Sequence, residues 1–244
     1  MQHSDQQLDN LWLARALWDL GAVTFGDFTV GNSTIHSPVF VNPKLLISSP
    51  TALRVAVKLM YQEISLAQSL RHPKAQPYDV VAGVPVGGLL LATAYSLETN
   101  TPLIYSRLQP EGTGARGVEG RFTPGARVLL IDDLVTGGGG LTEIALFLSE
   151  HDLKVRDAVV LIDRGHTAAD ALRQQGINFM SILKLDVMMM HYLSSGLIGD
   201  EQYQAYQRYV RESGAARSSG RKPPEEPTGE QGTGGANGSR SKDR

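Results

Sequence analysis

The strongest constraint on this chain is a single run, Val128-Leu129-Leu130-Ile131-Asp132-Asp133-Leu134-Val135-Thr136-Gly137-Gly138-Gly139-Gly140. Ala126–Ile131 reads as a buried strand that delivers two adjacent carboxylates, and the apolar, periodic Leu141–His151 reads as a helix. Between them, a threonine and four glycines let successive backbone N–H groups converge on one point. The start of the following helix adds partial positive charge. A strand, a glycine turn and a helix form one βα unit, and this one is built as an anion cradle suited to phosphate.

Two familiar phosphate loops do not fit. A dinucleotide fingerprint counted from Gly137 would need glycine at Thr142, and counted from Gly138 it would need glycine at Glu143; no Gly-Lys-Ser/Thr follows for a P-loop. The acids supply a different reading. Two carboxylates beside a phosphate cradle would repel a bare phosphate, but they suit a sugar whose hydroxyls they accept. A ribose 5-phosphate satisfies both halves, with its 2- and 3-hydroxyls on Asp132 and Asp133 and its phosphate on Thr136–Gly140.

The rest of the chain alternates in the same way. Helices are expected over Leu8–Leu20, Pro50–Leu70, Leu89–Glu98, Thr167–Gln175 and Asp200–Arg211. Strands are expected over Tyr78–Val84, Thr101–Tyr105, Lys154–Ile162 and Ile177–Leu185, and short strands or a hairpin over Gly21–Asn42. Continuous apolar strands separated by helices predict an α/β fold with a mostly parallel central sheet flanked by helices. Ligands of such sheets bind beyond the carboxyl ends of the strands, where both glycine turns, after Ala82 and after Ile131, are placed. From Gly214 to Arg244 the composition is Gly, Ser, Pro, Glu, Lys and Arg with no aromatic residue, so 214–244 reads as a disordered polar tail after a folded unit over 1–213.

Composition excludes several classes of function. There is no cysteine, which removes disulfides, thiolate metal sites and a cysteine nucleophile. A net charge of -2 gives no footprint for nucleic acid. No run is long and apolar enough for a membrane span, and the polar Met1–Asn10 has no secretory order, so the cytoplasm is the expected location. His36, His72, His151, His166 and His191 lack ligand spacing and read as structural or solvated, while Met188-Met189-Met190 reads as core or interface packing.

Ile131–Gly140 resembles the phosphoribosyl-pyrophosphate (PRPP) motif of type I phosphoribosyltransferases. Further segments resemble orotate phosphoribosyltransferases in order along the chain. Phe25-Gly26-Asp27-Phe28-Thr29 with Ser37-Pro38-Val39-Phe40-Val41-Asn42 is similar to that family's small N-terminal hood, here mainly residues 21–45. Ala82–Gly88 is similar to its pyrophosphate-side loop, Pro102–Arg107 and Gly117–Gly120 to the borders of its mobile loop, and Val159–Arg164 to the strand that ends in its orotate-binding arginine.

The resemblance implies a type I phosphoribosyltransferase fold that condenses orotate with PRPP to orotidine 5-monophosphate and pyrophosphate, in pyrimidine biosynthesis. It also implies a homodimer, and Mg2+ carried by PRPP rather than held directly by the protein. It assigns PRPP to Arg107, Asp132, Asp133, Leu134, Val135, Thr136, Gly137, Gly138, Gly139 and Gly140, with Arg107, Asp132 and Asp133 as the catalytic set. Orotate falls to Phe40, Val41, Thr136 and Arg164. One stretch departs from the family: Arg107–Arg116 holds neither lysine nor histidine, where active bacterial members carry both, leaving Arg107, Arg116 and Lys44 as cations. Three readings stay open: orotate phosphoribosyltransferase, a phosphoribosyltransferase for another base, and a PRPP-binding regulatory protein without turnover.

Overall fold

The computed structural model describes residues 9–30, 34–107, 117–165 and 167–218. Residues 1–8, 31–33, 108–116, 166 and 219–244 lie outside them.

Six strands form the main sheet in the order β5-β4-β3-β6-β7-β8: β3 (Val80–Gly83), β4 (Leu103–Ser106), β5 (Val118–Glu119), β6 (Arg127–Val135), β7 (Lys154–Asp163) and β8 (Asn178–Lys184). All neighbouring pairs are parallel except the short edge pair β4–β5. Alternation along the strands divides the core in two. Val81, Leu129, Ile131, Val159 and Leu161 face one apolar cluster, shared with α1 (Asn10–Asp19), α2 (Pro50–Ser69), α3 (Gly87–Thr99) and α6 (Leu185–Ser194). Val80, Ala82, Val128, Leu130, Ala158 and Val160 face the other, closed by α4 (Gly139–Ser149) and α5 (Ala168–Gln174). Both faces are covered, as continuous apolar strands require.

Local chemistry sets the element ends. Asp9 caps α1 by accepting from the Trp12 N–H, and Ser49 caps α2 by accepting from the Ala52 N–H with Pro50 in the first turn. Asn100 ends α3 in the left-handed conformation, φ 53°. The expected hood is an antiparallel hairpin of β1 (Val23–Val30) and β2 (Thr34–Val41), with register irregularities around Phe28. A 3-10 helix over Pro43–Ser48 leads from it to α2.

The boundaries depart from the sequence expectations in four places. β6 does not stop at Ile131 but continues through the acidic pair to Val135, because β7 pairs with it as far as Val135 opposite Asp163. Gly87 and Gly88 belong to the first turn of α3 rather than to a turn before it. Met188 and Met189 lie on α6, a helix not anticipated, where both are fully buried while Met190 stays exposed. The C-terminal helix α7 runs from Asp200 to Ser218, so Gly214–Ser218 continues a helix instead of opening the tail. The composition of 214–244 as a block hid the helix-forming Ala215-Ala216-Arg217 at its start.

Candidate active site

Because β3, β4, β6 and β7 are parallel, their carboxyl ends share one edge of the sheet. The residues that follow them, Arg107 after β4, the Val84–Val86 turn and the start of α3 after β3, Thr136 after β6 and Arg164 after β7, are gathered there.

Asp132 and Asp133 occupy the end of β6. The Asp133 N–H donates to Asp132 Oδ1 at 2.8 Å. Burial, then the neighbouring Asp133 charge, pushes the Asp132 carboxyl well above the usual range. Asp133 Oδ2 is shut away from solvent and accepts no hydrogen bond; Lys44 Nζ stands 3.8 Å from it, too far to donate one. α3 begins directly against these acids. A Cβ on Gly87 would lie 2.1 Å from Asp133 Oδ2, and one on Gly88 would lie 2.4 Å from the Ile131 carbonyl oxygen and 2.7 Å from Asp132 Cα. Backbone contact makes glycine a requirement at Gly88 for the helix to start so close to β6, whereas at Gly87 the contact is with a side chain.

The glycine loop is shaped from two sides. Gly138 adopts φ 82° at the cap of α4 and has no side chain to occupy the first N–H groups of that helix. Cβ atoms placed on Gly139 and Gly140 would meet nothing within 4 Å, so the loop faces open space there. Behind it, Gly165 passes so near the Thr136 carbonyl that a Cβ would sit 2.1 Å from that oxygen, and Gly138 packs on Ala168. The result is a closely backed turn with uncapped N–H groups beside two carboxylates.

Arg164 reaches across to the hood. Its Nη2 donates to Ser37 Oγ at 2.5 Å and to the Val39 carbonyl at 3.0 Å, and burial lowers its pKa. Ser37 is fully buried and donates in turn to the Val39 carbonyl. Phe40 is half-buried and lies against Phe28, ring centroids 5.5 Å apart. Val41, expected at the base site, is buried in the main core opposite Val23, so only its backbone can face a ligand; Val135 is similarly buried in the second cluster. Arg107 is exposed and pairs with Glu119 at 3.2 Å, while its N–H bonds to the Gly117 carbonyl, pinning together the two borders of 108–116.

The structure thus brings together Asp132, Asp133, the Thr136–Gly140 loop, Arg164 and the hood. Sequence reasoning assigned no role to Ser37, Gly165 or the contact of Lys44 with the acids. Lys44 was legible only as a spare cation, and the Gly165 approach had no signal beyond the glycine itself.

Comparison with known proteins decides the family. A phosphoribosyl transferase domain matches residues 58–174. The orotate phosphoribosyltransferase of Chlamydia pneumoniae is 32% identical over 199 residues, 80% of this chain and 90% of that protein. This chain belongs to the orotate phosphoribosyltransferase family. Among solved structures, orotate phosphoribosyltransferase from Aeropyrum pernix matches with a TM-score of 0.63 at 29% identity, covering 77% of this chain and 99% of that one. Leishmania donovani UMP synthase matches with a TM-score of 0.72 at 30% identity, covering 83% of this chain and 42% of that one. The chain spans about two-fifths of the UMP synthases it matches. In this orotate phosphoribosyltransferase relative the α/β fold of the family is retained, with a mostly parallel sheet flanked by helices. Among the described residues no helix is long and apolar enough to cross a membrane.

Proposed function

We propose that this chain transfers the 5-phosphoribosyl group of PRPP to orotate, releasing pyrophosphate and forming orotidine 5-monophosphate in pyrimidine biosynthesis. The observation that carries this reading is the acidic pair at the end of β6, with an Asp133 oxygen that accepts no hydrogen bond, set beside the uncapped start of α4. Asp132 and Asp133 accept the ribose 2- and 3-hydroxyls. The segment Leu134–Val135 carries the chain from the acids to the phosphate turn, and Thr136–Gly140 hold the 5-phosphate. Phe40, the Val41 backbone and Thr136 border the base, Arg164 meets its carboxylate, and Arg107 binds pyrophosphate.

A ring nitrogen of the base bonds to ribose C1 as the bond from C1 to the pyrophosphate oxygen breaks. The transition state is a ribosyl oxocarbenium ion, so the site acts by positioning, by neutralising the leaving group and by excluding water. Mg2+ would arrive on PRPP, held by the substrate's phosphates and water rather than directly by the protein, and the acidic pair beside the cradle is compatible with that cation. When bound, it neutralises charge on the pyrophosphate. The same reading includes a cytoplasmic homodimer.

The absence of lysine and histidine from Arg107–Arg116 favours one alternative, a PRPP-binding regulatory protein without turnover. Loss of orotate absorbance with purified protein, PRPP and magnesium tests the enzyme directly. PRPP-dependent loss of orotate supports it, whereas PRPP binding by calorimetry with no turnover points to regulation or to another base. Asp132→Asn with Asp133→Asn is expected to abolish PRPP binding while leaving the circular dichroism spectrum intact; normal binding by the double variant would refute the assignment of the loop.

A further inference from the structure

The 3-10 helix Pro43–Ser48 connects the hood to α2 and packs against both β6 and α3. It carries Lys44 to the acidic pair. Lys44 Nζ lies 3.8 Å from Asp133 Oδ2, and its charge also favours the ionised form of Asp132. The contact is electrostatic and loose. It exceeds hydrogen-bonding distance, the lysine side chain is 48% exposed, and the carboxylate oxygen it faces still accepts no hydrogen bond. A half-exposed ion pair of this kind contributes little and is readily exchanged. A lysine ammonium on its flexible four-carbon stem can turn to a nearby partner without movement of the backbone.

The chemistry of the sugar supplies that partner. In the reading given above, the carboxylates accept the ribose hydroxyls, and the 2-hydroxyl is on the carbon adjacent to C1, which bears the pyrophosphate. A cation within 4 Å of the carboxylate that takes a ribose hydroxyl is therefore within reach of the leaving group. Once the hydroxyls donate to Asp132 and Asp133, Lys44 no longer has to balance them.

We infer that Lys44 is an exchangeable cation: it faces the acidic pair before PRPP binds and turns to the pyrophosphate of bound PRPP. It stays protonated throughout and transfers nothing. As the bond from C1 to oxygen breaks, it meets the negative charge that collects on the departing pyrophosphate. This places part of the positive charge on the hood side of the site, away from the Arg107–Arg116 stretch that lacks lysine and histidine.

The inference rests on the ribose role of the acids, and the test separates the two. Calorimetry on the full chain with magnesium compares PRPP with ribose 5-phosphate, which has the same hydroxyls and 5-phosphate but no pyrophosphate. Lys44→Met is expected to weaken PRPP roughly tenfold or more, the size of one charge-assisted contact, and ribose 5-phosphate by less than about twofold. Lys44→Arg is expected to restore PRPP affinity to within about threefold. A general disturbance of the fold would lower both affinities and would not be rescued by arginine. Equal weakening of the two ligands by Lys44→Met, or no weakening of PRPP, would overturn the role of Lys44 alone. Failure of the unsubstituted protein to bind either ligand would overturn the ribose assignment and this inference with it.

Discussion

At the residue scale, the acidic pair behaves differently from two surface carboxylates. Burial and the Asp133 charge raise the Asp132 pKa, so on lowering pH Asp132 takes up its proton earlier than an ordinary aspartate. In Asp133→Asn the neighbouring negative charge is gone, and the Asp132 titration is expected to move to lower pH. Carbon-13 detection of the side-chain carboxyls measures this directly, and an unmoved titration would show that burial alone sets it. Asp79 behaves in the opposite sense. It accepts from the Arg127 N–H and from the Arg127 guanidinium at 2.7 and 3.0 Å, which lowers its pKa to about 2. A depressed carboxylate contributes stability above its unfolded pKa and loses it as pH falls through the folded value. Asp79→Asn is thus expected to melt below the unsubstituted protein at pH 6, with the gap closing towards pH 2. The acids of the site were legible because two carboxylates before four glycines are hard to explain otherwise. The Asp79 pair was not, since its partners are 48 residues apart and nothing in either neighbourhood links them.

At the scale of elements, the start of α3 separates two neighbouring glycines by what they touch. A Cβ on Gly88 meets backbone of β6, so Gly88→Ala must push the helix from the sheet and is expected to cost about 1–3 kcal/mol in denaturant unfolding. A Cβ on Gly87 meets the Asp133 carboxylate, which can swing aside. Gly87→Ala is expected to lose PRPP affinity well before it loses stability, and a calorimetric titration beside a melt would distinguish the two. The sequence located the strand–turn–helix units but misplaced their ends. Periodicity stops at Asp132 because the side chains become polar, whereas backbone pairing to β7 continues as far as Val135. α6 went unread because Leu185–Ser194 follows β8 without a turn residue between them. α7 is tied into the fold by Tyr206, whose hydroxyl donates to Asp186 on α6. Tyr206→Phe is expected to lose about 1 kcal/mol in chemical denaturation; an unchanged midpoint would make that hydrogen bond dispensable.

At the scale of the whole molecule, the site is assembled from distant stretches of chain. Arg164 and Ser37 are 127 residues apart in sequence, and the Tyr192 hydroxyl donates to the Ala14 carbonyl across 178. Such contacts leave no local trace, which explains why the fold class and the phosphate loop could be read from sequence while the attachment of the hood could not. They also bear on the order in which a growing chain becomes a protein. During synthesis, α1 and the hairpin are made before the sheet, and although α2 follows closely enough to meet α1, the other surfaces they rest on, the end of β7, β8 and α6, come more than a hundred residues later. At the usual pace of about 5–20 residues per second, those elements wait several seconds with part of their apolar faces uncovered. An early-made part of this chain is thus among the last to settle, and a nascent fragment ending before Arg164 would carry the acidic pair and the glycine run with no hood fastened over them and without Gly165 and Ala168 behind the loop.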